Sequence, residues 1–249
     1  MSRDGEPDGY VELEVEDGTT MRAFVARPET PPRYAGILVL QAAFGVNAHI
    51  RDVAGRFAAA GFVAIAPELF HRTAPGFDGS YDDRETALAQ VRSLTTEGLT
   101  ADLRAAFEWL RGQDSVRGDR IAAVGFCMGG RAAFLANATL PLAASISYYG
   151  GGIAPALLDR AGALSGPQLL FWGGADAGIP PEQYRAVEDA LRAEGKRHVS
   201  GRLLPGRPQL LQRRAGRLRS GGGGGVVGAG AGVPARLRGL AVRGSAALP

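Results

Sequence analysis

The chain has 249 residues, 45% of them hydrophobic, enough for one large α/β domain or two small ones without help from disulfides or metals. Its one cysteine excludes an intramolecular disulfide, and a reducing cytoplasm is the simplest home for it. The net charge of +3 suggests an anionic partner, but nine of the 28 basic residues lie between Arg202 and Arg243, and no Asp or Glu follows Glu194. Residues 1–200 therefore hold 19 basic against 25 acidic side chains, a net charge of −6. With no recognition motif beside the basic residues, nucleic-acid binding is not expected. The polar, acidic start is unlike a secretory signal, and no apolar run approaches a membrane span.

In chain order, Tyr10–Glu16 alternates apolar and polar residues. Asp17-Gly18 then offers a turn, and Met21–Ala26 continues extended, which predicts an antiparallel hairpin. The apolar run Ala35–Gln41 predicts a strand buried on both faces, followed by a helix capped by Asn47 and ended near Gly61. Phe62–Ala66 is the next buried strand, stopped by Pro67, and residues 68–79 read as a loop. Helices are expected over Asp82–Thr95 and from Thr100, where Leu103, Phe107 and Leu110 share one face. The remaining strands are Ile121–Gly125, Ala143–Tyr149, Gln168–Trp172 and Val199–Leu204. Helices over Cys127–Ala138 and Pro181–Glu194 lie between them. Such alternation implies an α/β fold, a mostly parallel sheet with helices on both faces and reactive groups at the carboxyl ends of the strands.

Gly125-Phe126-Cys127-Met128-Gly129-Gly130 lies between a strand and a helix and has the form of a nucleophile elbow with cysteine as nucleophile. Small neighbours suit a strained turn. The helix N-terminus should favour thiolate, and the Met128 N–H should face a developing oxyanion. The plainer alternative is a buried structural cysteine beside a glycine-rich turn.

QAAFGVN (41–47), GFCMGGRAAF (125–134), SYYGGGI (147–153) and FWGGADAGIPPE (171–182) together resemble the dienelactone hydrolase family in order and spacing, over about residues 10–204. The resemblance implies an α/β-hydrolase fold and a Cys–Asp–His triad acting on a small-molecule lactone or ester, with no metal or organic cofactor. Carried over by position, Cys127 is the nucleophile, Asp176 the acid that orients the histidine, and Ala43 the second backbone oxyanion donor. An acidic substrate would call for arginines at the pocket rim, for which Arg72, Arg84 and Arg92 are candidates by location. A broad-specificity esterase on the same scaffold, or an inactive homologue that binds a small acid, are the alternatives. Oligomeric state is not legible.

Two departures from the family pattern stand out. Ala42 replaces a glutamate that interacts with the thiol in the family, and Glu68, the nearest carboxylate by motif position, is expected to cap or solvate a loop. The family histidine belongs just after the last strand, where this chain reads PGRPQLLQ (205–212 region), and no histidine follows His198. Of His49, His71 and His198, His71 is the best placed to approach the pocket, since it follows a strand's carboxyl end. Residues 201–249 contain no Asp, Glu, Lys, His, Phe, Tyr, Trp, Ile or Met, and 13 of them are glycine. That composition cannot bury enough surface to offset ordering entropy, so residues 205–249 are expected to form a disordered basic tail in place of a closing helix. A frame slip near Pro205 is the explanation expected for this. Permitted codons for Gly206–Ser220, read one nucleotide later, can encode AGHSFFNDERAGYDP, which restores a histidine.

Overall fold

The computed structural model describes residues 9–29, 33–173, 176 and 178–203. The expected tail, 205–249, and the frame-slip junction lie outside the described residues.

The hairpin forms as its pattern dictates. β1 (Gly9–Glu14) and β2 (Thr20–Ala26) pair antiparallel, with Leu13, Met21, Ala23 and Val25 buried. Gly18 takes φ +82° in the turn, where the Asp17 carboxylate accepts from the Thr19 N–H and hydroxyl. β2 also pairs antiparallel with β4 (Phe62–Pro67), and Pro67 is the last paired residue of that strand, not a residue beyond it.

The remaining strands are parallel: β3 (Tyr34–Leu40), β5 (Val116–Phe126), β6 (Ala144–Tyr148), β7 (Gln168–Gly173) and β8 (His198–Leu203). The sheet order is β1-β2-β4-β3-β5-β6-β7-β8. Ile37, Leu38, Val39 and Leu40 are all buried, because helices cover both faces of this central strand.

α1 (Ala48–Ala59) starts at Asn47, whose side chain accepts from the Ile50 N–H, and Gly61 follows at φ +88°. α2 (Arg84–Ser93) is capped by Asp83. α3 (Thr96–Arg111) begins four residues before the expected Thr100, because the Thr95 hydroxyl caps it by accepting from the Gly98 N–H. α4 (Met128–Thr139) and α5 (Pro181–Ala193) occupy the expected places. A short 3-10 turn, Leu158–Ala163, has no counterpart in the sequence reading. α1 packs on β2, β3 and β4, whereas α3 and α4 pack together on β3 and β5. No helix among the described residues is long and apolar enough to cross a membrane.

The crossovers from β3 through α1 and from β5 through α4 leave in opposite directions along the sheet, since β4 lies on one side of the β3/β5 pair and β6 on the other. A crevice opens at such a switch point, above the carboxyl ends of β3 and β5.

Candidate active site

Cys127 sits at that switch point, between the last residue of β5 and the first of α4. Its backbone is held at φ +55°, ψ −120°, a region that side-chain-bearing residues rarely occupy. The surroundings over-determine the turn. The Cys127 N–H donates to the Tyr148 carbonyl (3.0 Å), and its own carbonyl accepts from the Gly130 N–H (2.9 Å). A Cβ on Gly125 would overlap the Gly129 carbonyl, and one on Gly129 would overlap the carbonyl oxygens of Leu40 and Gln41. The elbow glycines are therefore required by close backbone packing, and Cys127 stands exposed at the tip.

Its electrostatics differ from the sequence expectation. The thiol is pushed above its ordinary pKa, chiefly because the walls of the crevice withdraw hydration from the sulfur. A hydrogen bond from the Met128 N–H opposes this, as the helix start should, and so does the charge of Arg84, while Asp176 adds to the rise. Desolvation outweighs the hydrogen bond from the helix start, so the pKa moves up, where the sequence suggested a shift toward thiolate.

Ala43 is buried on the loop after β3, and the segment between β4 and α2 braces that loop. The Gln41 side-chain oxygen accepts from the Leu69 N–H (3.1 Å), and the Phe44 carbonyl accepts from the Gly79 N–H (3.0 Å). Gly45 forms a bridge with Asp78, the Asn47 amide donates to the Tyr81 hydroxyl (3.2 Å), and Phe44 packs edge-on against Tyr81 at 4.5 Å. The loops after β3 and β4 thus form one lattice beside the elbow.

Asp176 lies half-buried beyond the end of β7, close enough for its charge to act on the Cys127 sulfur. Its Oδ1 accepts from the Gly178 N–H (2.9 Å), and its carbonyl from the Ile179 N–H (3.2 Å). Tyr149 is a site residue that sequence reading missed. It follows β6 at φ +41°, and its phenol is pushed well above the ordinary value, first by burial and then by the neighbouring Cys127, Tyr81 and Tyr148. Its place after a strand's carboxyl end was the available signal. For Tyr81, brought in by the loop lattice, the sequence offered none.

The three rim arginines separate. Arg84, the first residue of α2, is exposed and its charge reaches Cys127. Arg92 is exposed in the last turn of α2. Arg72 is not a rim residue in this arrangement: its guanidinium grips both oxygens of the fully buried Asp102 (2.8 and 2.9 Å) and reaches Asp17 at 2.7 Å. His71 joins the same cluster, with Nε2 3.0 Å from Asp102 Oδ1, so its ring is turned to α3 and the expected approach to the pocket is corrected. Glu68 is buried, accepts from the Gly76 N–H (3.0 Å) and faces Arg22 at 3.9 Å, a loop-capping role as expected. His49, in the first turn of α1, packs edge-on against Phe126 at 6.2 Å. His198 opens β8 at the end of the sheet opposite the elbow. No group of three or more His, Cys, Asp or Glu among the described residues could hold a metal ion.

Comparison with known proteins agrees with this fold. A carboxymethylenebutenolidase of Pseudomonas putida is 30% identical over 186 residues, which cover 74% of this chain and 78% of that protein. The crystal structure of a Klebsiella pneumoniae protein assigned to the dienelactone hydrolases superposes with a TM-score of 0.71 at 30% identity, covering 78% of this chain and 84% of that one. A dienelactone hydrolase-like promiscuous phosphotriesterase from metagenomic libraries gives 0.68 at 25% identity, covering 80% and 82%. The model of the dienelactone hydrolase family matches residues 21–200, the span that carries the elbow, the braced loop and Asp176, and to that family the chain belongs.

Proposed function

We propose that the chain acts on lactones or carboxylic esters through Cys127, and that this copy is impaired by loss of the catalytic histidine. The observation that carries the reading is the Cys127 sulfur at the tip of a strained turn, with the Met128 N–H directed at it. In the proposed chemistry, thiolate attacks the carbonyl carbon and the oxyanion is met by the N–H groups of Met128 and Ala43. The alkoxide or enolate then leaves, giving a thioester. Asp176 would orient a histidine that activates water, but each of the three histidines has its ring or its strand placed elsewhere. Arg84 is the best-placed group to attract a carboxylate-bearing substrate, because its charge already acts on the sulfur. Neither step calls for a metal or an organic cofactor.

A broad-specificity esterase is the second reading, favoured by the likeness to a neighbour described as promiscuous. The test measures hydrolysis of p-nitrophenyl acetate and of a dienelactone by this chain and by a version read one nucleotide later after Leu204. Turnover well above this chain's in the second protein supports the reading. Equal turnover in both would mean that another group does the histidine's work. Sequencing the gene across the Pro205 junction tests the frame slip separately: a clean frame encoding the present tail ends it.

A further inference from the structure

The chain contains three histidines, and all three lie among the described residues. His71 is locked to Asp102 within a buried cluster that also takes Arg72. His198 starts β8 at the opposite end of the sheet, its Nδ1 2.9 Å from the Lys196 carbonyl. His49 lies against the ring of Phe126 on the α1 side. The carboxylate near the sulfur, Asp176, already accepts the Gly178 N–H within its own turn.

The two halves of the proposed reaction make unequal demands on such a site. A thiolate is an intrinsically strong nucleophile, so acyl transfer to sulfur needs only ionisation and an oxyanion site. A resting thioester is attacked by water only slowly unless a base removes the water's proton as it attacks. With elbow and braced loop present and the three histidines held in other contacts, the first half survives wherever the pH ionises Cys127, and the second does not.

We infer that Cys127 accepts one acyl group from a lactone or activated ester and keeps it as a thioester, making this chain a single-turnover acyl acceptor. The inference rests on the reading of Cys127 as nucleophile. The Cys127 thiol loses its proton to solvent, the C–S bond forms, and the ester C–O bond breaks. The leaving alkoxide or enolate takes a proton from water, and no oxidant, reductant or further reactant is involved. With a lactone, the leaving oxygen stays attached to the acyl group, so the whole opened ring remains on the protein.

The experiment mixes the full chain with p-nitrophenyl acetate and follows nitrophenolate release, intact mass and peptide mass together. The expected result is a burst of one equivalent, then release at least about 100-fold slower. One acetyl group is found on the Cys127 peptide, and hydroxylamine removes it. Cys127→Ala gives neither burst nor acetyl group. Sustained release with no acetyl on Cys127, abolished in Cys127→Ala, would overturn acyl retention and leave the hydrolase reading standing. No burst and no acetyl group in the parent, or a Cys127→Ala variant that behaves like the parent, would overturn both.

Discussion

The charges around the Cys127 sulfur pull in opposite directions, and each can be removed singly. Asp176→Asn takes away a negative charge that holds the proton on, so iodoacetamide alkylation at pH 8 should speed up several-fold. Arg84→Met takes away a positive charge that favours thiolate, so the same rate should fall several-fold. In the parent, desolvation raises the thiol's pKa, and the alkylation rate should still be climbing above about pH 8.5, where an ordinary cysteine begins to level off. A plateau below pH 8 would mean that the helix start dominates after all. This scale also shows what sequence can supply. The turn at Cys127 was legible because a local pattern, strand, two glycines and helix, fixes an elbow. The balance of forces on its sulfur was not, since Arg84 and Asp176 are distant in sequence and solvent exclusion depends on the assembled walls.

Among the elements, α4 can start where it does only because Gly129 lets its backbone close on Leu40 and Gln41. Gly129→Ala should displace the elbow, and loss of Cys127 acylation together with a fall in urea midpoint is the expected outcome. The loop after β4 is held from below by Asp102 on α3, which satisfies His71 and Arg72 together. Asp102→Ala strips a buried carboxylate from two partners and should cost about 3 kcal/mol in urea unfolding. A loss under about 0.5 kcal/mol would show that Arg72 is served by Asp17 alone. The central strands β3 and β4 were read well because they are continuous apolar runs, but β5 starts at Val116, five residues before the expected Ile121, because its first half is polar and only partly buried. The start of α3 was placed four residues late, because the Thr95 hydroxyl caps the helix by accepting from the Gly98 N–H and so starts it at Thr96. Arg72 was misread for a different reason. Its partners lie 30 and 55 residues away, and nothing local marks an arginine as bound inward.

For the molecule as a whole, titration couples the fold to acidity. His49 has its pKa lowered, mainly by burial and then by Arg56, so the unfolded chain takes up a proton near pH 6.5 before the folded one does. Stability from this group therefore declines as pH falls through that value. Asp17 is lowered by its bonds to Thr19 and then to Arg72, and Asp83 by its bonds to Thr86. Both favour the folded state above about pH 4, and that advantage is lost as pH drops further. Urea midpoints should therefore fall in two stages, one below about pH 6.5 and one below about pH 4, and His49→Phe should remove the first alone. The mostly parallel sheet with helices on both faces followed from the alternation of strands and helices, whereas the strand order, with its reversal between β3 and β5, did not, because pairing between strands distant in sequence leaves no local mark.

Cys127 is also the chain's sole sulfhydryl. A maleimide dye or nitroxide added without any mutation can attach at one place, the mouth of the crevice. Its emission colour or line shape would then register the arrival of a small molecule directly, even in a protein that releases no product.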